Sequence, residues 1–308
     1  MHKPWFNKPT PLNKNAHIAI IGGGIGGISL LHHLNAAGYR TTLIEQKSKI
    51  LSAASGNPAA LLEPFVSASK TIEKSFYLQA YLYARDFYKS LGPNVINICD
   101  LIKISKNKTE VTRFEKIAEN YPKDIVYLKN NNLIFPDCGL VLPQEMKKSI
   151  KQTDSLIMDV EINRLEQTEN GKWLLFGSNG NLIINADAVF LTNAYNIENI
   201  SQTEHIKLDQ VTGQITYLET EYSGDNILCS DGYLTPPVKT DFGMANICGA
   251  TFEKNSTLEI TEDAHKENIK NVPFNFNNPV ILGGRRAIRA MSKDHLPLLV
   301  RRLFMMLI

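Results

Sequence analysis

Three glycines constrain this chain more than any other residues. Gly22, Gly24 and Gly27 follow the apolar run His17 to Ile21 and precede Ile28, Leu30, Leu31 and Leu34, which recur at helical spacing. Gly38 then stands where a helix-closing C′ residue belongs, and Thr41 to Ile44 reads as a second strand ending at Glu45. Strand, glycine turn, helix and strand make a βαβ unit of about thirty residues. Gly22 permits the tight turn, Gly24 lets backbone approach a pyrophosphate, and Gly27 lets helix pack on strand. The helix start offers N–H donors and the positive end of its dipole. Glu45 would accept hydrogen bonds from ribose hydroxyls, and its charge argues against a 2′-phosphate and so against NADP. The fingerprint itself leaves NAD and FAD open.

What surrounds this unit sets bounds on the class. The 308 residues suffice for one large domain or two interleaved ones. Lys plus Arg number 33 against 31 Asp plus Glu, so bulk charge alone makes no nucleic-acid clamp, although a local basic patch stays open. Cys99, Cys138, Cys229 and Cys248 form no CxxC pair and read as reduced thiols, pointing to a cytoplasmic setting without a cysteine zinc site or other metal. No apolar run approaches the ~18 residues that span a bilayer. Residues 1–15 are polar and proline-containing, an extended arm rather than a signal peptide.

Beyond Glu45 comes a small-residue loop, Leu51 to Pro58. Ile72 to Leu91 carries Phe76, Leu78, Tyr81, Tyr83, Phe87 and Leu91 and reads as a core-packing helix. A charged helix lies around Thr112 to Asn120, and Pro143 opens another. Strands follow at Leu156 to Ile162, Trp173 to Phe176, Leu182 to Ile184 and Ala188 to Leu191, with hairpin turns at Asn170-Gly171 and Asn179-Gly180. Gln214 to Leu218, Ile227 to Cys229 and Ala245 to Cys248 continue the strand-rich pattern. The fold class is therefore α/β: a Rossmann-like nucleotide-binding domain interrupted by a mostly antiparallel β substrate domain. The expected division is 16–92, 141–204 and 284–308 for the first, and 93–140 and 205–283 for the second.

Two segments favour FAD. Ser55-Gly56-Asn57 places a hydroxyl, a bare backbone and an amide close in sequence to the dinucleotide unit, and Thr192-Asn193-Ala194 stands where FAD proteins carry Ala-Thr-Gly. With these, the chain resembles the D-amino-acid-oxidase-like FAD enzymes. Within that group it is most similar to the oxidoreductase half of the two-headed enzymes that modify the wobble uridine of tRNA. Ala54 to Leu62 with Glu63-Pro64, Asp231 to Pro236 (DGYLTP) and Arg289 to Pro297 (RAMSKDHLP) carry that resemblance, and Pro4-Trp5-Phe6 resembles the junction after a methyltransferase half.

The resemblance implies a cofactor, FAD, and a partner, tRNA. It implies that the carboxymethyl group of 5-carboxymethylaminomethyl-uridine is removed oxidatively: hydride leaves the carbon beside the amine, and water releases glyoxylate and the 5-aminomethyl nucleoside. A separate methyltransferase would act downstream. The expected cofactor contacts are Gly22, Gly24, Gly27, Glu45, Ser55, Gly56, Asn57, Val160 and Asn193. On the substrate side, Arg289 is the candidate guanidinium fork for the carboxylate and Tyr233 a hydrogen-bonding or packing partner. Asp294 reads as structural, and Thr212 departs from the arginine that relatives often carry. Lys147, Lys148, Lys151, Arg285 and Arg286 are possible phosphate contacts, although solvated faces explain them as well. Relatives also continue past the Leu-Pro segment, so a shortened C-terminus that removes part of the flavin cradle is expected from Arg301 to Ile308. Two other readings stay open: an oxidase of small glycine-like or sarcosine-like amines, and a non-catalytic remnant.

Overall fold

The structure, a computed structural model, describes residues 11–69, 71–150, 155–254, 257–294 and 296. Two compact units divide the chain, and each is assembled from separated segments. The described residues of 1–52, 150–209 and 290–308 form the first, and those of 53–149 and 210–289 the second.

The first unit starts with β1 (His17–Ile21), α1 (Ile25–Ala36) and β2 (Arg40–Ile44). All five residues of β1 are buried, as a strand covered on both faces requires. It is the second strand of a four-stranded parallel sheet, ordered Ala188–Leu191, β1, β2, Ser155–Ile157. In register, Ala19 lies between Val189 and Thr42. Ile28 and Leu31 bury one stripe of α1, and Gly38 takes φ +85° just past the helix end. A separate antiparallel sheet of Ile162–Gln167, Trp173–Gly177 and Leu182–Ala186 packs Leu165, Leu175 and Ala186 against Ala19, Ile21 and Ile44. Gly171 and Gly180 turn its hairpins at φ +81° and +79°.

An eleven-stranded mixed sheet makes up most of the second unit. Its path runs Glu253–Lys254, Asp209–Glu219, Gly243–Gly249, Tyr233–Leu234, Ile227–Cys229, Ile96–Lys103, Asn132–Val141, Ala60–Leu62. Alternation along the long strands separates two faces. Ile215, Tyr217, Ile247, Cys229, Leu101 and Leu133 belong to the larger apolar core. Leu218, Leu234 and Cys248 form a smaller one with Val272. The helix Glu262–Asn271 sits over the latter side, where His265 Nδ1 and Thr216 Oγ1 are 2.8 Å apart and Asn268 Nδ2 donates to Gln214 O at 2.9 Å.

Several expectations change. The helix Ile72–Ser90 forms, but it buries only Tyr81 fully, with Leu78 and Leu82 against the core, while Phe76 and Tyr83 are 57% and 63% exposed. Phe76 and Tyr83 are seven residues apart and share the face opposite the core, so one aromatic-rich helix carries two stripes and only one packs. This helix falls in the second unit. The single strand expected over Leu156 to Ile162 is two, Ser155–Ile157 and Ile162–Gln167, broken where Asp159 takes φ +58°. Cys99 and Cys138, distant in sequence, are cross-strand partners, and both are free thiols. Pro4-Trp5-Phe6, Lys151 and Arg301 to Ile308 lie outside the described residues.

Candidate functional site

In the first unit the glycine turn is held by backbone and by one carboxylate. Gly22, at φ +107°, donates its N–H to Ile44 O at 2.8 Å, which fastens the turn to the end of β2. A Cβ on Gly27 would stand 2.0 Å from Gly22 O, so α1 can start here only on a bare backbone. Gly24 is the N-cap residue of α1, in extended conformation and without a side-chain cap. The first turn contains no acidic residue, so its N–H groups and dipole face an incoming anion unopposed.

Glu45 is fixed by the turn it borders. Its Oε2 accepts the Gly23 N–H at 2.6 Å and its Oε1 the Lys47 N–H at 2.9 Å. Each oxygen retains a lone pair, so the carboxylate is aimed before any ligand arrives. Gly23, a variable position of the fingerprint, is thereby a working residue: a Cβ there would lie 2.7 Å from Ile50 Cγ2 and 3.0 Å from Glu45 Oε2. Val160 donates its N–H to Glu45 O at 3.1 Å, beside the same strand end.

Thr192 and Asn193 close the turn from the other flank. Thr192 Oγ1 lies 2.9 Å from both Ile21 O and Gly22 O and donates its proton to these carbonyls. Asn193 Oδ1 is buried with no hydrogen-bond partner among the described residues. A buried acceptor of this kind costs about 1–3 kcal/mol until something donates to it. The following residue, Ala194, adopts φ +52°, the left-handed conformation that a glycine takes freely.

The second unit carries the remaining candidates except Asp294. Ser55, Gly56 and Asn57 lie in and just after the 3₁₀ turn Ala54–Gly56. Arg285 ties this turn down: its Nη1 donates to Asn57 Oδ1 at 2.8 Å and its Nη2 to Ala53 O. A freely solvated face is thus the wrong reading of Arg285. It is wrong for Arg286 as well, whose side chain is 1% exposed and pairs with Glu253 at 2.7 Å while reaching Gln214 Oε1 at 3.2 Å. Sequence reasoning left Gln214 without a role. It is fully buried and bonds both ways with Thr261, each at 2.9 Å.

Arg289 is exposed and donates from Nη2 to Thr251 O at 3.0 Å. That guanidinium nitrogen occupies the space of a Gly213 Cβ, 2.0 Å from the ideal position, so Gly213 lets the side chain lie down and fixes its orientation. Tyr233 is half-buried; burial pushes its phenol well above the ordinary tyrosine range, and the Arg289 charge pulls the other way. The phenol therefore stays a proton donor. Asp294 Oδ1 accepts the Leu296 N–H at 3.1 Å, a local structural role.

The family of FAD dependent oxidoreductases of the D-amino-acid-oxidase type (DAO) matches residues 17–306. The chain belongs to that family. FAD is its cofactor, and the residues present fit one: a glycine cradle that a Cβ would fill, an aimed carboxylate and an orphaned acceptor at Asn193. Among curated proteins, the DAO chain is 25% identical over 324 residues to the tRNA 5-methylaminomethyl-2-thiouridine biosynthesis bifunctional protein MnmC of Pseudomonas fluorescens (strain Pf0-1). That match takes in 96% of this chain and 49% of the relative. The protein of the same name from Idiomarina loihiensis is 27% identical, across 91% of this chain and 50% of its own. The chain thus spans about half the length of the curated relatives it matches. Glycine oxidase from Geobacillus kaustophilus shares the DAO fold, with a TM-score of 0.76 at 16% identity over 94% of this chain and 86% of that one. L-Proline dehydrogenase from P. horikoshii gives 0.71 at 16%, over 95% and 86%.

Proposed function

We propose that this FAD-dependent oxidoreductase acts on the wobble uridine of tRNA, removing the carboxymethyl group of 5-carboxymethylaminomethyl-(2-thio)uridine. The match of nearly the whole chain to one half of the MnmC proteins carries the reading. In balance, substrate and water give 5-aminomethyl-(2-thio)uridine and glyoxylate, with two electrons and two protons passing to the acceptor. When bound, FAD supplies that two-electron acceptor. Gly22, Gly24, Gly27, Glu45, Val160 and Asn193 of the first unit would hold it. Arg289 and Tyr233 are the substrate-side pair: the guanidinium takes the carboxylate as a fork, and the phenol donates to the same group. A two-point grip on the carboxylate orients the carbon that must lose hydrogen. The setting is cytoplasmic, and a separate methyltransferase consumes the 5-aminomethyl product.

The test is a nucleoside analysis. tRNA from a strain lacking the gene should accumulate the carboxymethylaminomethyl nucleoside, and purified flavin-loaded protein should convert it with release of glyoxylate. Unchanged nucleosides, together with turnover of N-substituted glycines in the absence of tRNA, would establish the small-amine oxidase instead.

A further inference from the structure

Two of the four cysteines meet, and neither has a part in the chemistry described so far. The strand Ile96–Lys103 runs antiparallel to Asn132–Val141, and Cys99↔Cys138 is one of its register pairs. The next pair toward the strand end is Leu101↔Phe135, so Pro136 and Asp137 stand opposite Asp100 alone. Asp137 takes φ +54° at this bulge. The extra residue shifts the alternation of the longer strand by one and keeps its apolar side chains inward. Phe135, Cys138 and Leu140 on that strand belong to the larger apolar core with Leu101, and Cys99 packs against the same core. Both thiols therefore stand on one face, from directly opposed positions.

Opposed residues of an antiparallel pair hold their Cα atoms about 4.5 or about 5.5 Å apart, according to whether the pair is hydrogen-bonded. A disulfide spans Cα separations of about 4.4–6.8 Å, so the backbone already has the spacing that the bond requires. Both cysteines are free thiols. Cys138 is fully buried, whereas Cys99 is part-exposed. A small reagent meets Cys99 first, with Cys138 directly behind it. Burial, followed by the Asp100 and Asp225 charges, pushes the Cys99 thiol up to about 11. Burial and then Glu63 push Cys138 up as well. Thiolate is scarce at neutral pH, which makes the pair slow to react and sets it apart from a fast peroxide sensor.

We propose that Cys99 and Cys138 form a modification site for small organic disulfides, which close the pair into a cross-strand disulfide. The site is independent of the proposed wobble-uridine substrate. The Cys99 thiolate attacks one sulfur of the reagent, makes a mixed disulfide and expels one reagent thiol. Cys138 then gives its proton to solvent and attacks the Cys99 sulfur, which expels the second reagent thiol. The protein loses two electrons and two protons, and the reagent gains them as two S–H bonds. Excess thiol runs the exchange backwards and reopens the pair. The closed bond makes a covalent loop that contains the helix Lys108–Asn120.

The experiment equilibrates the full-length, flavin-loaded protein without oxygen at pH about 9, with about 1 mM each of hydroxyethyl disulfide and mercaptoethanol. Acid quenching, intact mass and non-reducing peptide mapping follow. The closed protein weighs two hydrogens less than the open one, and its map joins the Cys99 and Cys138 peptides. Neighbours this close should have an effective concentration of at least about 10 mM, so the closed-to-open ratio should be about ten or more. Cys138→Ser should stop at a single mercaptoethanol adduct on Cys99, because nothing stands opposite to displace it. A ratio below about ten in the parent overturns the site. So does a mercaptoethanol adduct that persists on Cys99 of the parent, or a closed mass in Cys138→Ser.

Discussion

At the scale of single residues, the dinucleotide turn is a set of places where a Cβ does not fit. Gly27→Ala would drive a methyl onto Gly22 O, 2.0 Å from its ideal position, and should abolish bound flavin, read as the visible-to-ultraviolet absorbance ratio of purified protein. Gly26→Ala is the control: nothing lies within 4 Å of its Cβ position, so flavin should stay and the melting temperature rise with up to ~1 kcal/mol of helix propensity. Ala194→Gly should also stabilise, by roughly 1 kcal/mol in urea unfolding, because Ala194 bears a left-handed φ of +52°. Gly22, Gly24, Gly27 and Glu45 were legible in sequence because spacing alone defines their motif. Gly23 and Gly213 were not. Their value comes from Ile50, Glu45 and Arg289, side chains that only the fold brings near.

At the scale of elements, β1, α1 and β2 could be read almost to the residue, since periodicity, a glycine turn and a closing Gly38 agree. The helix Ile72–Ser90 was legible in position but not in orientation, because an aromatic stripe does not say which side meets the core. Basic residues near the last strand misled for a related reason: charge reads as surface until a partner such as Glu253 is seen. Arg286→Met should cost roughly 1–3 kcal/mol in urea unfolding, since it leaves Gln214 Oε1 and Glu253 short of a donor. Glu253→Gln retains an acceptor and should cost clearly less. Equal losses would mean that the ion pair itself, rather than the bonds to Gln214 and Thr257 or the packing of the arginine stem, holds Val280–Met291 in place.

For the whole molecule, two buried histidines give both units the same response to acid. His17 shares a 2.8 Å hydrogen bond with Thr42 in the first unit and His265 one with Thr216 in the second. Burial lowers both from the ordinary value of 6.5; Arg40 adds to the shift at His17, and Glu262 opposes it at His265. A depressed histidine binds its proton more readily when unfolded, so the stability it contributes is present above pH 6.5 and is lost as pH falls toward the folded-state value. The urea midpoint should drop between pH about 7.5 and about 5.5, and His17→Gln or His265→Gln should each flatten that slope. Unaltered slopes would place the sensitivity elsewhere. The whole-chain α/β class was readable from the alternation of elements, whereas the division near Ser52 and Ser149 was not, because long-range strand pairing leaves no local mark. That interleaving also has a cost on the ribosome. β1 emerges early, yet its neighbour Ala188–Leu191 is made well over a hundred residues later. At about 5–20 residues per second, one edge of an entirely buried strand waits on the order of ten to thirty seconds for its partner. During synthesis this chain is therefore a client for whatever shields nascent strands, and a pause placed between the two would prolong that dependence.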